Sequence, residues 1–234
     1  AVEGRVYVMG WENGADSVWC LDAATGEAVW RQSYPCPQYG RHHLGDEGYY
    51  GGPSASPEYD RQTGYLYTLS IDGDLNCWDT AAGGRRIWGL NLHDAHAVTR
   101  RPDAGGGQRD YGYTTAPLVH GGWVLVQAGG QDGTLAAYDK LSGRLVLTSQ
   151  CQDPAGQAGG LVPMTVEGVP CVGMLTLSRF VVVRLDPGHE GQTVASYPWQ
   201  SYYANNIPTP AVAGDSVILS SAYNINRTER VRIT

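Results

Sequence analysis

The chain has 234 residues, of which 32 are glycine and 13 are proline, and hydrophobic residues make up 42% of it. The glycines follow no three-residue period, which excludes a collagen-like fibre, and the hydrophobic content is too high for a disordered chain. A net charge of −7 argues against nucleic-acid binding. Many β-branched and aromatic residues between frequent turns predict an all-β protein, and the apolar runs are too short to span a membrane.

Four segments repeat one pattern: a strand, a tight turn, a second strand that ends in aspartate, a glycine turn and a third strand. In chain order the three strands are predicted at residues 6–10, 17–22 and 27–32; 66–70, 75–79 and 85–90; 124–128, 134–139 and 144–149; 171–175, 180–186 and 192–197. The aspartates and glycines that mark the turns are Asp22 and Gly26, Asp79 and Gly83, Asp139 and Gly143, and Asp186 and Gly191. The aspartates recur at intervals of about 45 to 60 residues, which is typical of a propeller blade.

A proline precedes each repeat and keeps step with the aspartates. These prolines are Pro57, Pro117, Pro163 and Pro210. Proline suits the first residue of a strand, so each unit gains a fourth short strand. Two landmarks in register predict a β-propeller with four-stranded antiparallel blades over residues 1–234, whereas a β-sandwich would not explain them. We predict a partial blade at 1–40, whole blades at 41–100, 101–150 and 151–200, and a partial blade at 201–234.

The first repeat also identifies a family. Residues 20–30 read CLDAATGEAVW and resemble the tryptophan-docking repeat A-x-D-x-x-T-G-x-x-x-W of the quinoprotein, or PQQ-like, β-propellers. In that family the tryptophan packs against the neighbouring blade, and the aspartate and threonine bond within the turn. Trp30 occupies the docking position here, and Trp88 occupies it in the second repeat. The resemblance implies a ring of six to eight blades, of which this chain would supply four to five.

The third and fourth repeats depart from the family pattern. Leu147 stands where tryptophan is expected in the third, and Val194 or Ala195 in the fourth. Two docking tryptophans are therefore missing, although the turns remain. The residues that we expect to hold the repeat together are Asp22, Gly26, Trp30, Asp79, Trp88, Asp139, Gly143 and Asp186. We interpret the four aspartates as turn caps because they recur at one place in every repeat.

The family resemblance carries the functional hypothesis. The chain is most similar in style to the non-enzymatic envelope propellers, such as the outer-membrane assembly lipoprotein. This resemblance implies a protein-binding or scaffold module in the periplasm or cell envelope, with further blades in the same or another chain. No cofactor is predicted. The alternatives are a quinoprotein oxidoreductase, with PQQ and Ca²⁺ bound by blades outside this sequence, and a carbohydrate-binding or glycoside-active propeller.

Two histidine-rich connections between blades suggest a metal site as a further alternative. His42 and His43 lie in the first connection, and His93 and His96 lie in the second. Imidazole and carboxylate groups at such spacing would suit Zn²⁺. We favour polar surface loops with incidental histidines. The five cysteines contain no CxxC pair, which excludes a metal-ribbon motif and leaves their disulfide state open.

Tyrosines near the start of successive blades predict a binding face. Tyrosine combines a large contact area with a hydrogen-bonding tip, which suits protein or carbohydrate surfaces. Equivalent positions in successive blades fall on one face, so we expect these side chains to open into one concavity, with the four histidines at its rim. The candidates are Tyr49, Tyr50, Tyr111, Tyr113, Gln157, Tyr203 and Asn206.

Overall fold

The structure is a computed structural model that describes residues 1–37, 52–99, 111–156, 159–201, 206–222 and 226–233. It forms five antiparallel sheets, which we call blades 1 to 5 in chain order. Blade 1 contains β1 (Arg5–Glu12), β2 (Ala15–Asp22) and β3 (Ala28–Pro35). Blade 2 contains β4 (Glu58–Asp60), β5 (Tyr65–Leu69), β6 (Asp74–Asp79) and β7 (Arg85–Asn91), and helix α1 (Leu92–Ala95) follows it.

The remaining blades repeat this arrangement. Blade 3 contains β8 (Leu118–His120), β9 (Trp123–Gln127), β10 (Leu135–Asp139) and β11 (Leu145–Thr148). Blade 4 contains β12 (Val162–Val166), β13 (Val169–Leu175), β14 (Arg179–Arg184) and β15 (Thr193–Pro198), and blade 5 contains β16 (Ala211–Ala213), β17 (Ser216–Ser221) and β18 (Arg227–Arg232). Each strand pairs with its neighbour in sequence, so every blade is a meander. The all-β prediction is confirmed.

Backbone chemistry sets the ends of the strands. Pro57, Pro117 and Pro210 directly precede β4, β8 and β16, where a missing N–H costs little, and Pro163 is the second residue of β12. The β1–β2 hairpin turns at Asn13-Gly14, with φ of 54° and 80°. Two residues with positive φ form the tight turn that matches the twist of paired strands.

The repeated aspartates cap the turn that precedes the last strand of a blade. In blade 1, Asp22 Oδ1 accepts hydrogen bonds from the backbone N–H groups of Ala24 and Thr25 at 3.0 and 3.1 Å. The N–H groups of Thr25 and Ala24 hold the pKa of Asp22 below its usual value. Asp79 and Asp139 make the same kind of contact in blades 2 and 3.

Blade 4 uses its aspartate differently. The Arg184 guanidinium donates two hydrogen bonds to the Asp186 carboxylate, at 2.7 and 2.5 Å. This pairing lowers the pKa of Asp186 to about 2. The fourth copy of the turn is therefore held by a two-point ion pair rather than by side-chain capping.

A β-bulge defines the docking position in each of blades 1 to 4. Trp30 pairs with Cys20 and Trp88 pairs with Cys77, and the register shifts directly after each cysteine. The same shift follows the Ala137–Leu147 and Val182–Ala195 pairs. The residue that replaces tryptophan in the fourth repeat is therefore Ala195 and not Val194.

Each docking tryptophan packs on a glycine of the next blade. A Cβ atom built on Gly84 would lie 2.6 Å from the ring of Trp30, and one on Gly143 would lie 2.7 Å from the ring of Trp88. Both glycines have positive φ, at 73° and 71°, so two constraints require glycine. Gly84, rather than the predicted Gly83, is the repeat glycine of blade 2, because its N–H bonds to Asp79 as that of Gly143 bonds to Asp139.

Lys140 joins blades 2 and 3 beside the second tryptophan. Its backbone carbonyl accepts hydrogen bonds from the Tyr67 hydroxyl at 2.9 Å and from Trp88 Nε1 at 3.2 Å. Its ammonium group reaches back to Asp60 Oδ2 at 2.8 Å and to Gln62 Oε1 at 2.7 Å. The Lys140 and Asp60 side chains are both more than nine-tenths buried. The sole lysine of the chain therefore makes a buried ion pair between two blades.

Aliphatic packing replaces tryptophan between the later blades. Leu125 and Leu147 of blade 3 pack against a cluster that includes Met174, Val181 and Leu185 of blade 4. A second hydrophobic cluster joins blade 4 to blade 5, and it includes Phe180, Trp199, Val217 and Leu219. A continuous core does not require the docking motif, because the hydrophobic effect depends on buried area and not on one ring.

Replacing Trp30 by alanine should lower the free energy of unfolding by about 3 kcal/mol, because it removes a half-buried ring that packs on the next blade. The adjacent Val29 is 49% exposed, and we expect Val29→Ala to change stability by no more than about 0.5 kcal/mol. Chemical denaturation measures both values. Equal effects at the two positions would contradict docking by Trp30.

Replacing Lys140 by methionine should destabilise the protein by about 3–5 kcal/mol, because it leaves the Asp60 carboxylate buried without its partner. Adding Asp60→Asn should recover part of this loss, since it removes the unpaired charge. Arg85→Met is the control: Arg85 contacts Asp79 at 3.6 Å on the surface, and its removal should cost about 0–1 kcal/mol. A double variant no more stable than the single variant would refute the buried ion pair.

Candidate functional site

The predicted site residues that the structure describes lie at one end of the blades. In a meander the last strand ends beside the turn that joins the two strands before it, so the connection to the next blade starts there. Blade 2 shows this contact directly, because the Leu92 N–H donates to the Gly73 carbonyl at 2.8 Å. We call this end the connection face. It comprises the turns at 12–15, 70–74, 128–134 and 176–178 with the described segments that follow β3, β7, β11 and β15.

A cavity of about 530 Å³ lies on the connection face between blades 2 and 3. His93, His96, Tyr113 and Ala128 line its buried part. Its exposed lining includes three polar residues, Gln131, Asp132 and Gln152. A volume of this size is within the range that binds small molecules or single side chains.

Helix α1 positions the two histidines of this cavity. Asn91 caps the helix, since its side-chain oxygen accepts a hydrogen bond from the His93 N–H at 3.0 Å. His93 Nδ1 lies 3.0 Å from the Val98 carbonyl, and its ring meets that of Tyr113 edge-on with centroids 5.1 Å apart. The turn leaves space for these rings because Gly73 has a φ of 89° and no Cβ, which would lie 3.0 Å from Tyr113.

His96 has one ring nitrogen engaged and one without a partner. Its Nε2 lies 2.6 Å from the buried Tyr138 hydroxyl. Within the described part of the chain, Nδ1 is buried and has no hydrogen-bond partner. Burial lowers the pKa of His96 below its ordinary value, so the imidazole is neutral near neutral pH. One wall of the cavity is therefore formed by a neutral imidazole whose Nδ1 atom is enclosed within the protein.

The structure brings together three of the residues predicted for the binding face and its rim. His93, His96 and Tyr113 line the same cavity. Tyr113 is 6% exposed, and its hydroxyl donates to the Ala128 carbonyl at 2.8 Å. Its ring forms part of the cavity wall, and its hydroxyl is engaged within the fold. Tyr111 is half-buried two residues earlier.

Asn206 lies on the same face but does not open into a concavity. It is fully buried, its amide donates to the Thr176 and Trp199 carbonyls at 2.9 and 3.0 Å, and its oxygen accepts from Ser201. The predicted exposure of Asn206 is therefore corrected: its side chain holds the connection after β15 against the β13–β14 turn. A buried amide needs all of its partners, and the connection supplies them.

The remaining predicted site residues lie outside the described residues. They are His42, His43, Tyr49, Tyr50, Gln157 and Tyr203. Among the residues that are described, no group of three histidine, cysteine, aspartate or glutamate side chains is arranged to hold a metal ion. The zinc hypothesis needs His42 and His43, so it stays a prediction.

A buried acidic cluster between blades 1 and 2 was not anticipated from the sequence. The Asp16 carboxylate is fully buried, and it accepts a hydrogen bond from the Tyr34 hydroxyl at 3.3 Å. The Cys36 thiol lies 3.6 Å from the carboxylate of Asp72, and Asp74 is also nearby. Burial, together with the negative charges of Asp74 and Asp72, raises the pKa of Asp16 to about 7. The sequence signal is an acidic residue one or two positions after the turn glycine, Asp16 after Gly14 and Asp74 after Gly73.

Comparison with known families identifies the chain. The model of a family described as outer membrane protein assembly factor BamB matches residues 14–229. The chain belongs to this family. The resemblance of its repeats to the PQQ-like propellers is thereby confirmed, and BamB is the envelope type that the resemblance indicated. No curated protein matches the sequence significantly.

Solved structures agree on the fold. BamB from Moraxella catarrhalis has a TM-score of 0.54 at 18% identity, and the alignment covers 94% of this chain and 54% of that one. Saccharomyces cerevisiae Sqt1 has a TM-score of 0.54 at 11% identity, with 97% and 59% covered. The Dos1 propeller has a TM-score of 0.52 at 15% identity, with 93% and 51% covered. The β-propeller prediction is confirmed, and the chain spans a little over half the length of these structures.

Helix α1 has four residues, and in the described ranges no helix is long and apolar enough to cross a membrane.

The acidic cluster predicts an inverted pH dependence of stability. Asp16 has a folded-state pKa of about 7, above its unfolded value, so its contribution is complete below about pH 4 and is lost as the pH rises through 7. We expect Asp16→Asn to remove this dependence and to stabilise the protein at pH 8 by about 2–4 kcal/mol relative to its effect at pH 4. Denaturation at both pH values measures the difference.

Asp22→Asn is the matched control for the acidic cluster. The N–H groups of Thr25 and Ala24 lower the pKa of Asp22, so its contribution is present above the unfolded pKa and is lost on acidification. The asparagine variant should therefore be destabilised more at neutral than at acidic pH. Identical pH profiles for the two variants would mean that Asp16 is not buried in its protonated form.

Proposed function

We propose that the protein is a non-catalytic scaffold of the bacterial cell envelope that binds a protein partner through the connection face. The observation that carries this proposal is the family match over residues 14–229, nearly the whole sequence. The remaining blades of the ring would come from the same or another chain, since the sequence spans about half of the BamB structure that it resembles.

The two ends of the blades have different structural roles, and this difference supports the proposal. At the end opposite the connection face, the repeated aspartates and glycines are committed to turns and to docking between blades. The connection face instead has connections that differ in length between blades, together with a cavity and exposed polar side chains at its mouth. Binding residues concentrate on loops that a rigid scaffold positions, because loops can change without loss of the core.

The chemistry of the described side chains favours binding over catalysis. Asp22, Asp79 and Asp139 cap turns, and Asp60 is paired with Lys140. His96 is neutral and buried against Tyr138. A general acid or base needs an accessible proton and a substrate within hydrogen-bond reach, whereas these aspartates are engaged within the fold and the His96 ring is buried. PQQ and Ca²⁺ would need ligands beyond the aspartates that the turns already use.

Site-specific photo-crosslinking tests the proposal. A photoreactive amino acid replaces Gln131 on the connection face, and the full chain is irradiated in the cells that produce it. We expect one reproducible adduct, identified by mass spectrometry as an envelope protein. The matched control places the same amino acid at Ala82, which is exposed in the β6–β7 turn at the opposite end.

Three results would contradict the proposed function. These are adducts of the same kind from both positions, no adduct from either position, or adducts with proteins outside the envelope. Dye reduction that depends on added PQQ and Ca²⁺ would favour the quinoprotein alternative. Specific crosslinking from Gln131 with no such activity would support the scaffold.

A further inference from the structure

We infer that the outer edge of blade 3 binds an extended apolar segment of a protein partner, which pairs with β11 as an added strand and places an acidic residue opposite Arg144. We call the surface formed by Leu141, Arg144, Leu145 and Val146 the blade 3 edge. It is separate from the connection face, so the inference goes beyond the proposed function and does not depend on it. Three observations carry it: an unprotected strand edge, two exposed leucines that are particular to this blade, and an exposed arginine at the start of the strand.

The outer strand of blade 3 lacks the protection that the other outer strands have. In blade 3 this strand is β11, and β10 is the strand that pairs with it. An unpaired edge offers N–H and C=O groups to any extended chain, and folded proteins protect such edges with charged residues or proline. Blades 1, 2 and 4 do so with Arg31 and Pro35 in β3, Arg85 and Arg86 in β7, and Pro198 in β15. β11 reads LVLT and contains neither, so it is open to pairing.

Leu145 stands at a position that is small or polar in the other blades. It pairs with Tyr138 directly before the bulge, and it is 47% exposed. The residues at the equivalent position of blades 1, 2 and 4 are Ala28, Arg86 and Thr193. A propeller blade therefore forms without leucine here, and an exposed leucine adds little to the core.

Leu141 shows the same contrast in the turn before β11. It lies two residues after the turn aspartate and is 54% exposed. The other three turns have Ala24, Ala81 and Gly188 at this place. Val146, by comparison, is the bulge residue, and the bulge residues Val29 and Val194 are also exposed. The two leucines thus make the exposed apolar surface larger in blade 3 than the repeat requires, and such surfaces mark sites of interaction.

The short length of the open edge favours an extended segment over a second copy of the chain. The edge is closed directly after β11, because the Gln150 N–H donates to the Gly191 carbonyl of blade 4 at 2.8 Å. The four residues of β11 span about 13 Å. Stable interfaces between folded proteins bury about 1,200–2,000 Å², and two rigid blade edges would meet only along this short strand. An extended segment can follow the strand and also cover Leu141.

Arg144 determines the charge of the segment. It is exposed and directly precedes β11. The acidic residue closest to it in sequence is Asp139, whose carboxylate already accepts hydrogen bonds from the N–H and hydroxyl groups of Ser142. In antiparallel pairing, the C-terminal end of the added segment lies opposite the start of β11. An acidic residue at that end would therefore meet the Arg144 guanidinium.

The test titrates the isotope-labelled full chain with the hexapeptide acetyl-Thr-Val-Thr-Val-Thr-Asp amide and follows the backbone amide signals by NMR. We expect the signals of Leu145, Val146 and Leu147 to shift, with a dissociation constant on the order of 0.1–1 mM, and those of β7 and β15 to stay unchanged. Two control peptides separate the contributions. Proline in place of the second valine removes a backbone N–H, and lysine in place of the aspartate reverses the charge, so each should bind at least about tenfold more weakly.

Leu145→Lys separates peptide binding from folding. It introduces the charge that protects other edges, so the affinity for the hexapeptide should fall at least about tenfold. Because Leu145 is largely exposed, the melting temperature should change by no more than about 2 °C. Val194→Lys is the matched control, since Val194 is 42% exposed in the outer strand of blade 4, and it should leave the affinity unchanged.

The outcomes distinguish this inference from the proposed function. No shift up to about 10 mM hexapeptide, equal affinity of the Leu145→Lys variant, or equal shifts in β7 and β15 would overturn the inference. Self-association that Leu145→Lys abolishes, without peptide binding, would assign the edge to a second copy and would also overturn it. The Gln131 crosslink tests the connection face separately: its failure with peptide binding intact refutes the proposed function alone. Failure of peptide binding with an intact crosslink refutes the strand-addition site alone.

Discussion

The contact of one tryptophan ring with one glycine of the next blade is the constraint on which the joints between blades 1 and 2 and between blades 2 and 3 depend. The ring can lie flat on the backbone only where no Cβ is present, so Gly84 and Gly143 must be glycine, and the aspartate turn must place each of them against the ring. Lys140 adds a buried ion pair and two hydrogen bonds to its carbonyl at the same joint. The geometry of blades 1 to 3 is therefore fixed at the turn end of the blades.

Because one end of the blades is used for docking between blades, the opposite end is available for recognition. The connection face carries segments whose length and sequence differ between blades, and the cavity forms where two of them meet above blades 2 and 3. This separation has a physical cause: docking needs small residues and exact turns, whereas recognition needs polar side chains that water can reach. The cavity combines both environments, because His96 is buried in the joint and Asp132 is exposed at its mouth.

The two unusual titratable groups share one cause. Burial lowers the pKa of His96 and raises that of Asp16, and in both cases the neutral form is favoured. Each group retains one polar atom without a partner among the described residues. They lie on the same face, in adjacent inter-blade joints, where the low dielectric of the core extends close to the surface. In such a low dielectric an unpaired polar atom is costly, which favours the neutral form of each group.

The sequence by itself determined the all-β class, the four-strand repeat and the turn aspartates, because these depend on local spacing and chirality within one blade. The docking role of Trp30 and Trp88 came from the family resemblance of the repeat, since it is a contact between blades. The sequence could not distinguish Val194 from Ala195 or Gly83 from Gly84, since a bulge and an inserted residue shift the register. Tertiary structure alone decided that Asn206 is buried, that His96 pairs with Tyr138 from another blade, and that Asp16 lies beside Asp72. Those contacts join residues far apart in sequence, and burial depends on which blades become neighbours.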